Sequence, residues 1–218
     1  AESICDADVD RLESLVVKSL VRRASGGRFA MLETIREYAH ERLLEMTDAA
    51  AYQRRHAVFF LALAREAELD ASRSFSRGNR LDLALAEQHN LRTALRWAID
   101  NGAIDIAVDL AGALEMFWVT QNPLEGVRWF TEIFAQAGIE NTDPLNRAHA
   151  LRSFGSATDV SGQDAPAEKL YQRSLDLSDA LGARHGRAVL LHRLGIQAMR
   201  RGDLASAGRL IDESDAIH

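Results

Sequence analysis

The sequence has one cysteine, three prolines and no long apolar run. A single Cys5 excludes an internal disulfide, which fits a reducing compartment. The longest uninterrupted apolar run, residues 57–64, is far shorter than the roughly 20 residues that a bilayer-spanning helix needs. No charged segment followed by an apolar one opens the chain as a signal peptide would. We therefore expect a cytoplasmic protein with no membrane partner.

An excess of positive charge is also missing, because the formal net charge is −6. Proteins that bind nucleic acid usually carry a basic patch or stripe. Even residues 1–46 contain seven Lys and Arg against nine Asp and Glu. Arg22, Arg23 and Arg28 form a small basic cluster that could contact phosphate, but a solvated turn is the favoured interpretation. We expect DNA contact only through another domain.

The residues needed for several kinds of chemistry are absent. No G-x-x-x-x-G-K-[ST] loop for phosphate occurs, and no G-x-S-x-G nucleophile motif. His40 and Glu41 begin like H-E-x-x-H, but residue 44 is leucine, and a single cysteine cannot complete a zinc site. The sequence therefore predicts a protein that is not an enzyme and that holds no metal or cofactor within these 218 residues.

A repeat with an offset of 40 residues fills the second half of the chain. Its clear copies are residues 147–186 and 187–218, and a degenerate copy precedes them at 107–146. The matching positions include Arg147 and Arg187, Leu151 and Leu191, Gly155 and Gly195, Gly162 and Gly202, and Ser174 and Ser214. This spacing of small and large residues is typical of tetratricopeptide repeats, which are antiparallel helix pairs with a usual period of 34. The extra residues predict a longer loop at 181–186 and lengthened helix ends, and Asp164 and Asp203 are predicted helix N-caps.

Residues 15–43 predict a different local structure. Two short apolar runs, 15–21 and 29–32, flank a basic turn with Ser25, Gly26 and Gly27, which suits a tight hairpin. An amphipathic helix follows, with its apolar face formed by Ile35, Tyr38, Ala39, Leu43 and Met46. The order helix, strand, turn, strand, helix is that of the second half of a winged helix.

The amino-acid sequence of this segment also resembles that of a known family. "LV-K-SLV" followed by "RF-MLETIREYA-ERL" resembles the winged-helix exit of bacterial STAND-type transcriptional regulators, including actinobacterial LuxR-like and AfsR/SARP-like proteins. "E-x-x-N-L-R-x-A-L-x-W" at 87–97 and "EG-x-x-W" at 125–129 resemble the same family. We expect an all-α, tetratricopeptide-like superhelix with a partial winged helix at its N-terminus. The expected domains are 1–47 for the winged helix, 48–102 for linker helices, with residues 70–80 as a loop, and 103–218 for repeats.

The resemblance implies a sensor arm that couples an inducer or partner to an upstream nucleotide-binding domain, which would bind ATP and ADP outside this sequence. Two alternatives stay open: a simple tetratricopeptide scaffold, and a winged-helix DNA-binding module. A homodimer through the last helix is a further possibility. Many such regulators restrain ADP with the histidine of a Met-His-Asp motif, and the matching residues here are Met31, Leu32 and Glu33. Leucine cannot donate that hydrogen bond, so ADP locking is weaker, another group replaces it, or, as favoured, Leu32 is a buried strand-end residue.

The predicted site is a surface on the first helix of each repeat, where such repeats bind partners. A protein or peptide segment is the expected partner. The predicted groove positions are His149, Arg152, Ser156 and Asp159 in the first clear copy, and Val189, His192, Ile196 and Met199 in the second.

Overall fold

The computed structural model describes residues 2–5, 7–24, 27–73 and 78–217. Within these residues the regular structure is helical, apart from one two-stranded antiparallel sheet near the N-terminus. The predicted fold class, an all-α helical superhelix with a small hairpin, is therefore confirmed. The chain divides into two compact units, residues 1–59 and 60–218.

The N-terminal unit contains the predicted order of helix, hairpin and helix. Its elements are α1 (Glu2–Cys5), α2 (Val9–Val17), β1 (Arg22–Arg23), β2 (Phe29–Ala30), α3 (Glu33–Leu44) and the start of α4 (Ala49–Arg73). In the sheet, Arg22 lies opposite Ala30 and Arg23 opposite Phe29. Of the predicted turn, Ser25 and Gly26 lie outside the described residues, and Gly27 has a φ of +73°.

The strands are shorter than predicted, and the first lies later in the chain. Residues 15–17 belong to α2, whose N-terminus is capped by Asp8 accepting a hydrogen bond from the Arg11 amide at 2.8 Å. The chain then turns at Ser19, which adopts a φ of +57°. The backbone amides of Lys18 and Leu20 donate hydrogen bonds to carbonyls in the last turn of α2. The first apolar run therefore forms the end of this helix and the turn after it.

The apolar face predicted for α3 is only partly covered. Ile35, Ala39 and Leu43 are half-buried, but Tyr38 is 60% exposed. Met46 is also exposed and lies beyond the end of α3 at Leu44. No residue of α3 is fully buried within the structure as described.

The C-terminal unit is a succession of helices that follow the end of α4. They are α5 (Gly78–Ala86), α6 (Gln88–Asp100), α7 (Ile104–Ala113), α8 (Glu115–Gln121), α9 (Pro123–Phe134), α10 (Pro144–Val160), α11 (Asp164–Ala180), α12 (Arg184–Arg200) and α13 (Leu204–Asp215). The loop between these helices is shorter than the predicted 70–80, because α4 continues to Arg73 and α5 begins at Gly78. Residues 74–77 lie outside the described residues.

The two clear repeat copies have the same internal packing. The Ser174 hydroxyl donates to the Ala148 carbonyl at 2.6 Å, and the Ser214 hydroxyl donates to the Ala188 carbonyl at 2.9 Å. Gly155 lies against the ring of Tyr171, so that a Cβ there would come within 2.6 Å of ring carbons. Because the second helix of each pair approaches the first so closely, glycine is required at this position of the repeat.

The six residues beyond the usual period lengthen the helices, and the long loop predicted at 181–186 is wrong. Helices α10, α11 and α12 have 17 residues each, and α12 already begins at Arg184. The prediction for Asp203 is confirmed, since its carboxylate accepts from the Ser206 amide at 3.0 Å. Asp164 is not an N-cap, because it is the first residue of α11.

Candidate functional site

The predicted groove positions of the first clear copy carry a network of polar contacts within the chain. His149 Nε2 lies 2.8 Å from a carboxylate oxygen of Glu68 on α4. Arg152 donates from Nε and Nη2 to one oxygen of Glu115 on α8, at 3.2 and 3.1 Å. The Ser156 hydroxyl donates to the other oxygen at 2.8 Å. These side chains are therefore already engaged by carboxylates of the same chain.

Glu115 is the centre of this network. Burial alone would raise the pKa of its carboxyl group, but the charge of Arg152, the hydrogen bond from Ser156 and the charge of Arg193 together lower it below the ordinary value. Arg193 Nη2 on α12 lies 3.6 Å from Glu115 Oε1. One carboxylate on α8 is thus contacted from both α10 and α12, which fixes these helices relative to each other.

A second cluster lies beside the first. Asp109 on α7 accepts two hydrogen bonds from the Arg65 guanidinium on α4, one of them at 2.9 Å. It accepts another from Nδ2 of the Asn146 side chain at 3.2 Å. Burial is the largest effect on Asp109 and raises the pKa of its carboxyl group, although the hydrogen bond from Arg65 and its charge oppose the rise. Sequence reasoning missed Glu68, Asp109 and Glu115. The available signal for Asp109 was a carboxylate in the middle of α7 with apolar residues on both sides of it.

The predicted positions of the first copy are thus engaged by side chains of the same chain, and their binding of a partner stays a prediction. Ser156 is 2% exposed, and Asp159 accepts a hydrogen bond from Arg200 on α12 at 2.7 Å. The physical reason is that neighbouring helices supply carboxylates and arginines opposite each of these positions. Sequence spacing identified the helix face but could not show what lies against it.

The second copy leaves an open groove between α12 and α13, with a volume of about 520 Å³. We call it the α12–α13 groove. Its lining residues are Ala188, Val189, His192, Arg193, Ile196, Ser214 and Asp215. Three of the four predicted positions of this copy, Val189, His192 and Ile196, thus line one groove. The fourth, Met199, is 50% exposed on the same helix.

The residues singled out in the N-terminal unit lie at its surface. Leu32 precedes α3 and is 57% exposed, so it is not the buried strand-end residue that was favoured. Met31 is 42% exposed, and Glu33, the first residue of α3, pairs with Arg36. Leu32 is exposed because the strand ends at Ala30, which leaves residues 31 and 32 outside the sheet.

The basic cluster is divided between the strand and the turn. Arg22 and Arg23 form β1 and are exposed, and Arg23 donates to Glu13 at 3.3 Å. Arg28 precedes β2, and its backbone carbonyl accepts from the Ala24 amide at 2.7 Å. In the described part of the chain no group of His, Cys, Asp and Glu could hold a metal ion, and no helix is long and apolar enough to cross a bilayer.

Comparison with known proteins gives one partial relationship. A protein of Mycobacterium bovis and proteins of two Mycobacterium tuberculosis strains, each provisionally named an HTH-type transcriptional regulator, are 36% identical to this chain over 129 residues. The match covers 57% of this chain but 14% of each relative, so the chain spans only a small part of their length. No family model and no solved structure matches the chain. The chain is therefore related to transcriptional regulators.

Proposed function

We propose that this chain is the non-catalytic sensor and protein-interaction arm of a STAND-type, ATP-dependent transcriptional regulator. The observation that carries the proposal is the open α12–α13 groove on a helical repeat array, in a chain that is related over 57% of its length to proteins named as transcriptional regulators. The groove offers an exposed surface of mixed chemistry, which suits a protein segment. The nucleotide-binding domain, the ATP or ADP and the DNA-contacting domain would all lie outside these residues.

In this proposal the arm acts by shifting a population between two states of the regulator. A partner can only do so if it binds one state better than the other. The contacts of Glu115 with α10 and α12 and those of Arg65 and Glu68 with α7 and α10 make a stiff array. Such an array would transmit a contact at α12 toward α4 as a rigid body. The arm therefore needs no chemistry of its own.

The test is nucleotide release from the full-length protein that carries this chain. A fluorescent ADP analogue is bound, and its release is followed with and without residues 144–217. If the arm restrains the nucleotide-binding domain, we expect deletion of these helices to change the release rate several-fold. An unchanged rate would leave only a simple protein-interaction scaffold, which the same groove also supports.

Leu32 gives a second test of the proposed family. In the resemblance, its position is that of a histidine that restrains ADP, and an exposed leucine cannot donate a hydrogen bond. Leu32→His in the full-length protein should therefore slow the release of the ADP analogue. Leu44→His is the control, because Leu44 is equally exposed, at 56%, but lies at the other end of α3.

A further inference from the structure

We propose that the end of α4, residues 65–73, is a releasable segment that a polar clasp holds on the repeat array. The clasp consists of two contacts, Arg65 with Asp109 and Glu68 with His149. All four residues belong to the C-terminal unit. The inference rests on the proposed function, since a regulatory arm needs an element that moves, and it adds which element that is.

The clasp holds one face of α4 at two points. Arg65 and Glu68 are three residues apart in the helix, so their side chains leave it on the same side. The Arg65 guanidinium donates two hydrogen bonds to Asp109 on α7, one of them at 2.9 Å. One turn further along, Glu68 Oε1 lies 2.8 Å from His149 Nε2 on α10. The end of α4 is thus attached to two helices of the array through charged side chains.

The apolar attachment of α4 stops where the clasp begins. Phe60 and Ala64 are 5% and 4% exposed, whereas none of the side chains of residues 65–68 is fully buried. Burial of apolar surface is the main force that holds helices together. Release of α4 from Arg65 onward would uncover little such surface, so the segment depends on the two polar contacts.

Opening the clasp leaves its charged groups with partners or water. Asp109 would keep the hydrogen bond from Asn146 at 3.2 Å and become open to solvent. Arg152, which lies 4.0 Å from Glu68, would keep its hydrogen bonds to Glu115. The two α4 side chains are already partly hydrated, at 49% and 35% exposed. A charge that is left buried and unpaired is what makes broken ion pairs costly, and none arises here.

The neighbouring network of Glu115 shows the contrast. Burial would raise the pKa of Glu115, but the charge of Arg152 and the hydrogen bond from Ser156 help to lower it below the ordinary value. For Asp109 burial prevails over the hydrogen bond and charge of Arg65, and the pKa of its carboxyl group is raised. The contacts of Glu115 thus favour its charged form, whereas that of Asp109 would gain from hydration. The array therefore has a fixed joint at Glu115 and a reversible one at the clasp.

The experiment is hydrogen exchange of the 218-residue chain, followed by mass spectrometry of its peptides. We expect Glu68→Ala to speed exchange of the amides in residues 65–73 by about tenfold, because one contact to a charged group is lost. The amides of α7 and α10 should keep the rates of the parent. The matched control is Glu66→Ala, which removes an exposed carboxylate of the same segment outside the clasp and should leave its exchange unchanged. Equal acceleration by the two variants, or acceleration that extends over α7 and α10, would overturn the proposal.

A double-mutant cycle tests the other half of the clasp. If Arg65 and Asp109 hold the segment through each other, Arg65→Met and Asp109→Asn should each speed its exchange, and the double variant should exchange no faster than the faster single one. Circular dichroism checks that each variant keeps the helical content of the parent. Additive acceleration, or none, would show that this contact does not hold the segment. Arg65→Met alters a partly exposed side chain, so it keeps the test open if Asp109→Asn does not fold.

Failure of this inference can be told apart from failure of the proposed function. Exchange is measured without nucleotide, and the release of the ADP analogue is measured on deletion of residues 144–217. Unchanged exchange in Glu68→Ala together with a changed release rate would retain the arm and reject the clasp. Local acceleration of residues 65–73 together with an unchanged release rate would retain the releasable segment and reject the regulatory arm.

Discussion

The Arg92 guanidinium on α6 donates two hydrogen bonds to the Glu125 carboxylate on α9, at 2.6 and 2.8 Å. The indole of Trp129 donates to the same carboxylate at 3.1 Å. These residues come from the two sequence motifs at 87–97 and 125–129, which the fold brings together. The pair is largely shielded, with side chains 31% and 14% exposed. The motifs therefore join two helices of the array.

Disrupting this pair should lower the free energy of unfolding. A hydrogen bond to a charged group contributes about 1.5–3 kcal/mol when its partner is left buried. We expect Arg92→Met and Glu125→Gln each to cost about 1–3 kcal/mol, with a coupling energy of about 1 kcal/mol in the double-mutant cycle. Urea unfolding followed by circular dichroism gives the four values.

The matched control is the pair of Arg36 and Glu33 on α3. It joins the same two kinds of charged side chain, but these are 56% and 65% exposed. Exposed ion pairs contribute about 0–1 kcal/mol to stability. The double-mutant cycle of Arg36 and Glu33 should therefore give a coupling energy close to zero. Equal coupling in the two cycles would mean that shielding does not strengthen the pair of Arg92 and Glu125.

Close helix packing makes a prediction about glycines. In Gly155→Ala, the new Cβ would lie 2.6 Å from Tyr171 ring carbons, and in Gly195→Ala 2.8 Å from Ile211. Each substitution should cost about 1–3 kcal/mol through overpacking. Gly208→Ala is the control, because it lies within α13 with nothing within 4 Å of its Cβ, and it should stabilise by about 0.5–1 kcal/mol. Thermal unfolding of the three variants distinguishes packing from helix propensity.

The repeat and its glycines could be predicted from sequence because periodicity reports local packing. Gly155 and Gly195 recur at the offset of 40, and each lies against the second helix of its own pair. The hairpin was predicted in the right order, but its first strand lies later than predicted, because residues 15–17 belong to α2, whose N-terminus is capped by Asp8.

Of the candidate site, the same reasoning could predict the helix faces but not the residues that lie against them. Helix periodicity placed His149 and His192 on the same face of the first helix in each repeat. Both residues do lie on the first helix of their pair, His149 on α10 and His192 on α12. Periodicity could not show that Glu68, distant in sequence, lies against His149, whereas His192 lines an open groove. Contacts between residues far apart in the chain leave no periodic trace in one sequence.

Glu115 predicts how stability depends on pH. Its pKa is lowered in the folded state, so its contribution is complete above the ordinary value of 4.5 and is lost as the pH falls below it. Glu115→Gln should be less stable than the parent at pH 7, and its stability should fall less between pH 5 and about 3.5. Urea midpoints measured across this range test the sign. Parallel curves for the two proteins would contradict the assignment of the shift to Glu115.

Gln197 on α12 predicts a stabilising substitution. Its side chain is 1% exposed, and neither its amide nitrogen nor its oxygen has a hydrogen-bond partner among the residues described. A buried polar group without a partner costs about 1–3 kcal/mol, so Gln197→Met, which keeps the length of the side chain, should raise the free energy of unfolding by about 1 kcal/mol. Gln172→Met on the exposed face of α11 should change it by less than about 0.5 kcal/mol. A loss of stability in Gln197→Met, with Gln172→Met unchanged, would mean that the Gln197 amide is hydrogen-bonded in solution.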